Sequence, residues 1–176
     1  MKLKKGIYSF RDREKRGLSM SEQDNKWKFL IIADDTPEFI KVLRLASKRA
    51  EKVGGSVLML RIVLPADFQH WNSVKDIMEE ESRIDAEEKL EFYTQEIKRI
   101  SGLDAETVIR KGKPEEVIAE IIAEDHDIHL LVLGAEVEGD PGPIIRSFRE
   151  VLLNVLHMPV LVVPGNMTDE EIDKFA

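Results

Sequence analysis

The chain has 176 residues, of which 43% are hydrophobic and 34% are charged, and this composition is typical of one globular domain and excludes a disordered chain. It contains no cysteine and no apolar run near the roughly 20 residues of a membrane span, which excludes disulfide scaffolds, cysteine-ligated metals, thiol nucleophiles and membrane insertion. The net charge of −8 is uneven, because residues 1–20 carry +5 and the remainder carries −13, and an acidic body that repels phosphate predicts no nucleic-acid binding.

Three regions are predicted along the chain. Residues 1–25 form a basic, disordered leader without the apolar stretch of a signal peptide, and Met20 within it is an alternative translation start. One domain covers residues 26–165, and a short C-terminal helix or tail covers residues 166–176.

The domain is predicted to open with a strand and a helix. Residues 27–32 form a short apolar run that is typical of a strand buried on both faces of a sheet. The helix that follows has Pro37 in its first turn, with Asp35 and Glu38 spaced as a capping box and Gly54 directly after its end. Its predicted inner face comprises Phe39, Val42, Leu43, Ala46, Ala50 and Val53.

The same alternation continues through the middle of the chain. Residues 56–63 predict a second buried strand, and residues 73–100 predict a long charged helix whose acidic run at 79–81 marks a bend or a solvated face. Residues 105–111 predict a third strand, which is more polar and is therefore expected at an edge of the sheet. A helix is expected to begin near Pro114, with acids in the first turn, where the helix dipole favours them.

The last third contains two more strands, over residues 128–133 and 159–163. Between them lie a Gly/Pro-rich loop, 134–143, and a helix that carries Phe148, Val151, Leu152, Val155 and Leu156. Thr168 and Glu171 have the spacing of a capping box and predict a short final helix.

Strands that alternate with helices predict an α/β fold, a doubly wound five-stranded parallel sheet in a three-layer α/β/α sandwich. Ligands of such folds bind outside the carboxyl ends of the strands, at the point where the strand order reverses. The loops that follow the first, second and fourth strands are therefore the candidate site.

The glycine-rich loop after the fourth strand allows two interpretations. Its glycines would let backbone N–H groups approach a phosphate, with Ser147 offering a hydroxyl and Arg146 a positive charge. Its acids would repel phosphate, and on the plainer interpretation its Gly and Pro residues only turn the chain. The acids are Glu136, Glu138 and Asp140.

Other site classes lack essential residues. Asp34 and Asp35 are similar to the paired acids of a response-regulator receiver domain, but the phosphoacceptor Asp after a central strand and the Lys after the last strand are missing. The four histidines share no helical face with a third ligand, so we expect no metal site. Neither the Gly-x-Ser-x-Gly elbow nor the Walker pattern is present.

The order of the segments resembles the universal stress protein (UspA) family. The segments that carry the resemblance are KFLIIADDTPE, VLMLRIV, GKPEEVIAEII, LLVLG and MPVLVVPG, which together extend from residue 27 to residue 165. The resemblance implies an adenine nucleotide α-hydrolase-like fold in a cytoplasmic stress-response protein that is commonly a homodimer. It also implies a Mg-ATP site in those members that bind nucleotide.

The resemblance carries a set of candidate ligand contacts onto this chain. Asp34 matches the Asp that contacts adenine or ribose, and Arg146 stands in place of a phosphate-loop glycine, as Val137 does in place of a second. Asp35 stands where the family usually has Gly. The candidate nucleotide contacts are Asp34, Thr36, Ile62, Leu133, Gly134, Gly139, Arg146 and Ser147.

These departures favour a stress protein with a degenerate adenine-nucleotide site, in which nucleotide binding is weak, altered or absent. One alternative is a small ATP-hydrolysing or nucleotide-transfer enzyme on the same fold, although we identify no general base, nucleophile or metal set. The other alternative is a pure interaction module that dimerises through an apolar edge strand at residues 160–163.

Overall fold

The computed structural model describes residues 27–64, 72–140, 142–147 and 156–176. For residues 72–79, 143 and 147 it describes the backbone only. The predicted leader and most of the helix expected to carry residues 148–156 lie outside the described residues.

The strands form one five-stranded parallel sheet with the order β3-β2-β1-β4-β5. The strand order reverses between β1 and β4, as expected for a doubly wound sheet, and the polar strand β3 lies at one edge, as predicted. Leu30 in β1 pairs with Leu58 on one side and Leu131 on the other. The strands are β1 (Lys28–Ile32), β2 (Ser56–Val63), β3 (Glu106–Lys111), β4 (Ile128–Ala135) and β5 (Val160–Pro164).

Helices cover both faces of the sheet, which confirms the three-layer architecture. One buried cluster joins the sheet to α1, α2 and α5, and a second cluster joins it to α3 and α4. Side chains alternate along β1, so that Phe29 and Ile31 enter the first cluster while Leu30 and Ile32 enter the second. The helices are α1 (Phe39–Val53), α2 (Asn72–Ser101), α3 (Pro114–Glu124), α4 (Pro143–Ser147) and α5 (Asp169–Phe175).

The final helix, α5, packs on α1. Ile172 is fully buried between them, and Asp173 forms ion pairs with Arg44 and Lys48 of α1. The capping box predicted from Thr168 and Glu171 is confirmed, because both of its hydrogen bonds are present.

Two local predictions are wrong, and a third is decided between its two alternatives. The capping box at the start of α1 does not form. Glu38 itself occupies the N-cap position, and its side chain makes no capping hydrogen bond. Asp35 instead forms ion pairs with cations from β2 and α2. Val53 is 46% exposed, because it lies in the last turn before Gly54 ends the helix. Of the two alternatives for the acidic run at 79–81, the solvated face is confirmed: α2 is one uninterrupted helix of 30 residues, and Glu80 and Glu81 are exposed on it.

Candidate functional site

A cleft opens at the carboxyl ends of β1 and β4, where the strand order reverses. The cleft is small, with a cavity volume of about 60 Å³. Its apolar walls come from both sides of the sheet and from α4: Ile32, Phe39, Leu133, Ile144 and Ile145. Its polar lining comes from the loops after β1 and β4: Asp34, Thr36, Glu38, Gly134, Glu136, Asp140 and Gly142.

Asp34 is held in one orientation by the residue two positions further along. Its Oδ1 accepts hydrogen bonds from the Thr36 hydroxyl at 2.6 Å and from the Thr36 backbone N–H at 3.2 Å. Within the described part of the chain Oδ2 has no hydrogen-bond donor, so one carboxylate oxygen is anchored and the other remains available to a ligand.

Glu38 is an acid buried at the rim of the cleft, with 7% of its surface exposed. Two glycines make room for it, because a Cβ on Gly165 would lie 2.5 Å from the Glu38 Cγ and a Cβ on Gly134 would lie 2.9 Å from the Glu38 Cβ. Gly134 therefore has a packing role, since it allows the start of α1 to approach β4.

The loop between β4 and α4 is held together by its own acids. Glu136 Oε1 accepts the backbone N–H groups of Val137 and Glu138, at 2.8 and 3.2 Å. These bonds, chiefly that from Glu138, together with a hydrogen bond to Glu38, hold the pKa of Glu136 below its ordinary value.

Asp140 makes the corresponding contacts further along the loop. Its Oδ1 accepts the Gly142 N–H at 3.1 Å, and its Oδ2 accepts Arg146 Nη1 at 2.7 Å. Arg146, the residue that the sequence analysis proposes as the positive charge for a phosphate, is thus paired with a carboxylate of the loop. No lysine or arginine is found among the described residues that line the cleft.

The neighbouring acid, Asp35, has a separate role. Its carboxylate pairs with Arg61 at the end of β2 and with Lys89 of α2, at 2.8 Å each. The hydrogen bond from Arg61, with help from Lys89, lowers the pKa of Asp35 despite partial burial. Arg61 also donates to the Ala33 carbonyl at 2.9 Å, so this cluster ties the β1–α1 loop to two other elements.

The structure brings four of the eight candidate contacts together: Asp34, Thr36, Leu133 and Gly134 all line the cleft. Ile62 packs against the buried cluster beneath α3 and α4 and is outside the lining, as are the loop residues Gly139 and Arg146. Ser147 ends α4, and its side chain lies outside the described part of the chain.

Sequence reasoning did not place Glu38 or the apolar residues of α4 in the site. Glu38 was assigned to a helix cap, and only the three-dimensional packing of α1 between Gly134 and Gly165 shows that it is buried. The position of Ile144 and Ile145 in the chain could have identified them, because they directly follow the loop after β4, and ligands of such folds bind outside the carboxyl ends of the strands.

Neither a metal site nor a membrane-spanning helix is found in the described part of the chain. The described residues contain no group of three or more His, Cys, Asp or Glu side chains positioned to hold a metal ion. None of the helices in this part of the chain combines the length and the hydropathy that crossing a membrane requires.

The chain is similar to known proteins both in sequence and in fold. The sequence model of the universal stress protein family matches residues 28–164. A search of curated proteins finds no significant match. The structure is similar to that of universal stress protein UspA from Lactobacillus plantarum, with a TM-score of 0.64 and 18% identity over 78% of this chain and 97% of that one.

Two similar structures carry nucleotides in their names. One is a universal stress protein in complex with cAMP, with a TM-score of 0.57, 16% identity, and coverage of 80% of this chain and 98% of that one. The other is the Archaeoglobus fulgidus universal stress protein in complex with dAMP, with a TM-score of 0.51, 20% identity, and coverage of 77% and 96%. At these identities the likeness shows the fold.

Proposed function

Because this chain belongs to the universal stress protein family, we propose that it is a cytoplasmic stress-response protein that binds an adenine nucleotide in the cleft between β1 and β4. The observation that carries the binding proposal is the anchored carboxylate of Asp34 in a cleft that also has apolar walls. The cAMP and dAMP complexes of similarly folded proteins support the choice of adenine compounds as ligands.

The nucleoside end of a ligand matches the chemistry of the residues that line the cleft. Asp34 Oδ2 would accept a hydrogen bond from a ribose hydroxyl or from the adenine amino group. The aliphatic side chains of Ile32, Leu133 and Ile144 would contact the faces of the base. Thr36 would act through Asp34, whose orientation it fixes.

The phosphate end fits Mg-ATP less well. Glu136 and Asp140 line this end, and the Arg146 guanidinium is already paired. A polyphosphate chain would meet carboxylates where ATP-binding sites normally present N–H donors and cations. Weak binding of Mg-ATP is therefore the expected behaviour of this site.

The test is calorimetric titration of the full chain with AMP and with Mg-ATP, alongside the variants Asp34→Ala and Asp104→Ala. Asp104 is the matched control, because it is an exposed acid that precedes β3 and is outside the cleft. We expect AMP binding that Asp34→Ala weakens by about tenfold or more and that Asp104→Ala leaves unchanged. If neither nucleotide binds the wild-type protein, the binding proposal is wrong.

We also propose a homodimer formed along β5. This strand lies at an edge of the sheet, and no strand of the described residues pairs with its outer side. Two of its apolar side chains are notably exposed, Leu161 at 38% and Val162 at 42%. An apolar edge strand of this kind is a ready template for a second chain, and an identical copy supplies an equally apolar partner.

A further inference from the structure

We propose that Glu136 and Asp140 act as built-in substitutes for phosphate, so that the cleft selects adenosine or its monophosphate over ATP. The inference rests on the proposed function, because it concerns which adenine compound the same cleft accepts. It deepens that function by naming the loop contacts in which these carboxylates replace a phosphate group.

The first step is that three backbone N–H groups of the β4–α4 loop already have hydrogen-bond acceptors. Three backbone N–H groups of the β4–α4 loop, those of Val137, Glu138 and Gly142, donate to carboxylate oxygens of the same loop at 2.8–3.2 Å. Backbone N–H groups gathered in a glycine-containing loop normally bind the phosphate oxygens of a nucleotide. Here the protein supplies the anion itself.

The second step concerns the positive charge at this end of the cleft. Asp140 holds the Arg146 guanidinium at 2.7 Å and the Gly142 N–H at 3.1 Å, which is the pair of contacts that one phosphate group would make. A triphosphate would have to displace this carboxylate before it could reach either donor. The displaced carboxylate would then remain close to the phosphate chain and repel it.

The third step is that the cleft also offers contacts that need no phosphate. Part of its wall is apolar, and the Asp34 oxygen without a described donor can accept hydrogen bonds from neutral donors. Glu38 adds a buried carboxyl to the lining, which makes the cleft still less favourable for phosphate. A nucleoside gains the favourable contacts and avoids the unfavourable ones.

The test compares adenosine, AMP and Mg-ATP by calorimetric titration of the full chain. The variants are Glu136→Ala, Asp140→Ala and the double substitution, with Glu138→Ala as the matched control. Glu138 is an exposed acid of the same loop whose carboxylate accepts none of the loop N–H groups in the described structure. The control therefore removes one negative charge from the loop without releasing a donor.

We expect the wild-type protein to bind adenosine and AMP at least about tenfold more tightly than Mg-ATP. The double substitution should raise the affinity for Mg-ATP by about tenfold or more and change that for adenosine by less than about twofold. Asp140→Ala alone frees the Arg146 guanidinium to contact phosphate. Adding Arg146→Ala to Asp140→Ala should therefore remove part of the increase in Mg-ATP affinity.

The outcomes separate this inference from the proposed function. If wild-type protein binds Mg-ATP as tightly as AMP, or if Glu138→Ala raises ATP affinity as much as Asp140→Ala does, the inference is overturned while the nucleotide site stands. Unchanged ATP affinity in the double variant also overturns it. If no adenine compound binds, the proposed function fails and the inference fails with it.

Discussion

The Thr36 hydroxyl donates a hydrogen bond of 2.6 Å to Oδ1 of Asp34, and the Thr36 backbone N–H donates to the same atom. Both contacts arise within three consecutive residues, so the turn after β1 orients the carboxylate without help from the rest of the fold. Asp34 lines the cleft, and its Oδ2, which has no donor among the described residues, is left to accept a ribose or adenine donor.

Replacing Thr36 by Val keeps the shape of the side chain and removes the hydroxyl. We expect about a threefold to tenfold loss of AMP affinity by calorimetry, because one of the two anchors of Asp34 is lost. The free energy of unfolding should fall by less than about 1.5 kcal/mol. Thr36→Ser is the control, since it retains the hydroxyl; equal losses in both variants would contradict the role of the hydrogen bond.

Gly165 and Glu38 provide a test of packing at the rim of the cleft. A Cβ on Gly165 would lie 2.5 Å from the Glu38 Cγ, so Gly165→Ala should cost about 1–3 kcal/mol of unfolding free energy in urea titrations. In the Glu38→Ala background the same substitution should lower the unfolding free energy clearly less, because the Glu38 Cγ that would clash with the new Cβ is absent. Equal costs in the two backgrounds would show that the close approach is not the cause.

The docking of α5 on α1 predicts a dependence of stability on pH. The bidentate hydrogen bonds from Arg44 to Asp173, at 2.8 Å each, lower the pKa of Asp173 below its ordinary value of 3.8. A lowered folded-state pKa means that the stabilising effect is complete above the ordinary value and is lost as the pH falls through the folded-state value.

The corresponding measurement is the Tm of the wild-type chain and of Asp173→Asn between about pH 7 and pH 2. We expect wild-type protein to be more stable by a constant margin above about pH 5, and this margin to shrink as the pH falls below 3.8. Glu170→Gln on the same helix is the control, because its side chain forms no ion pair in the described structure. A margin that does not change with pH would contradict the role of the Asp173 carboxylate.

The layers of this fold follow from patterns that are short in sequence. Apolar runs such as residues 56–63, and the apolar positions of α1 at a period of 3.6, report on burial against a sheet and need no distant information. The capping box of Thr168 and Glu171 is equally local, since both hydrogen bonds join residues three positions apart. These elements were predicted correctly for that reason.

The errors concern residues whose partners are distant in the chain. Asp35 has the spacing of a helix cap, but the fold brings Arg61 and Lys89 to it, and two cations outcompete a backbone N–H. The β4–α4 loop is a different case, because its glycine, arginine and acids lie close together in the chain and are each visible in the sequence. Their pairing, with Asp140 holding both Gly142 and Arg146, depends on the path of the folded loop.

The proposed dimer is tested most directly at the centre of β5. Val162→Lys places a charge on the exposed edge strand, and burying it against a second copy would be costly, so we expect the dissociation constant to rise by at least about tenfold in sedimentation experiments. Ile40→Lys is the matched control, because Ile40 is similarly exposed, at 45%, but lies on α1 and not on the edge strand. A wild-type chain that sediments as a monomer at micromolar concentration would rule out a stable dimer, and equal effects of both substitutions would place the interface elsewhere.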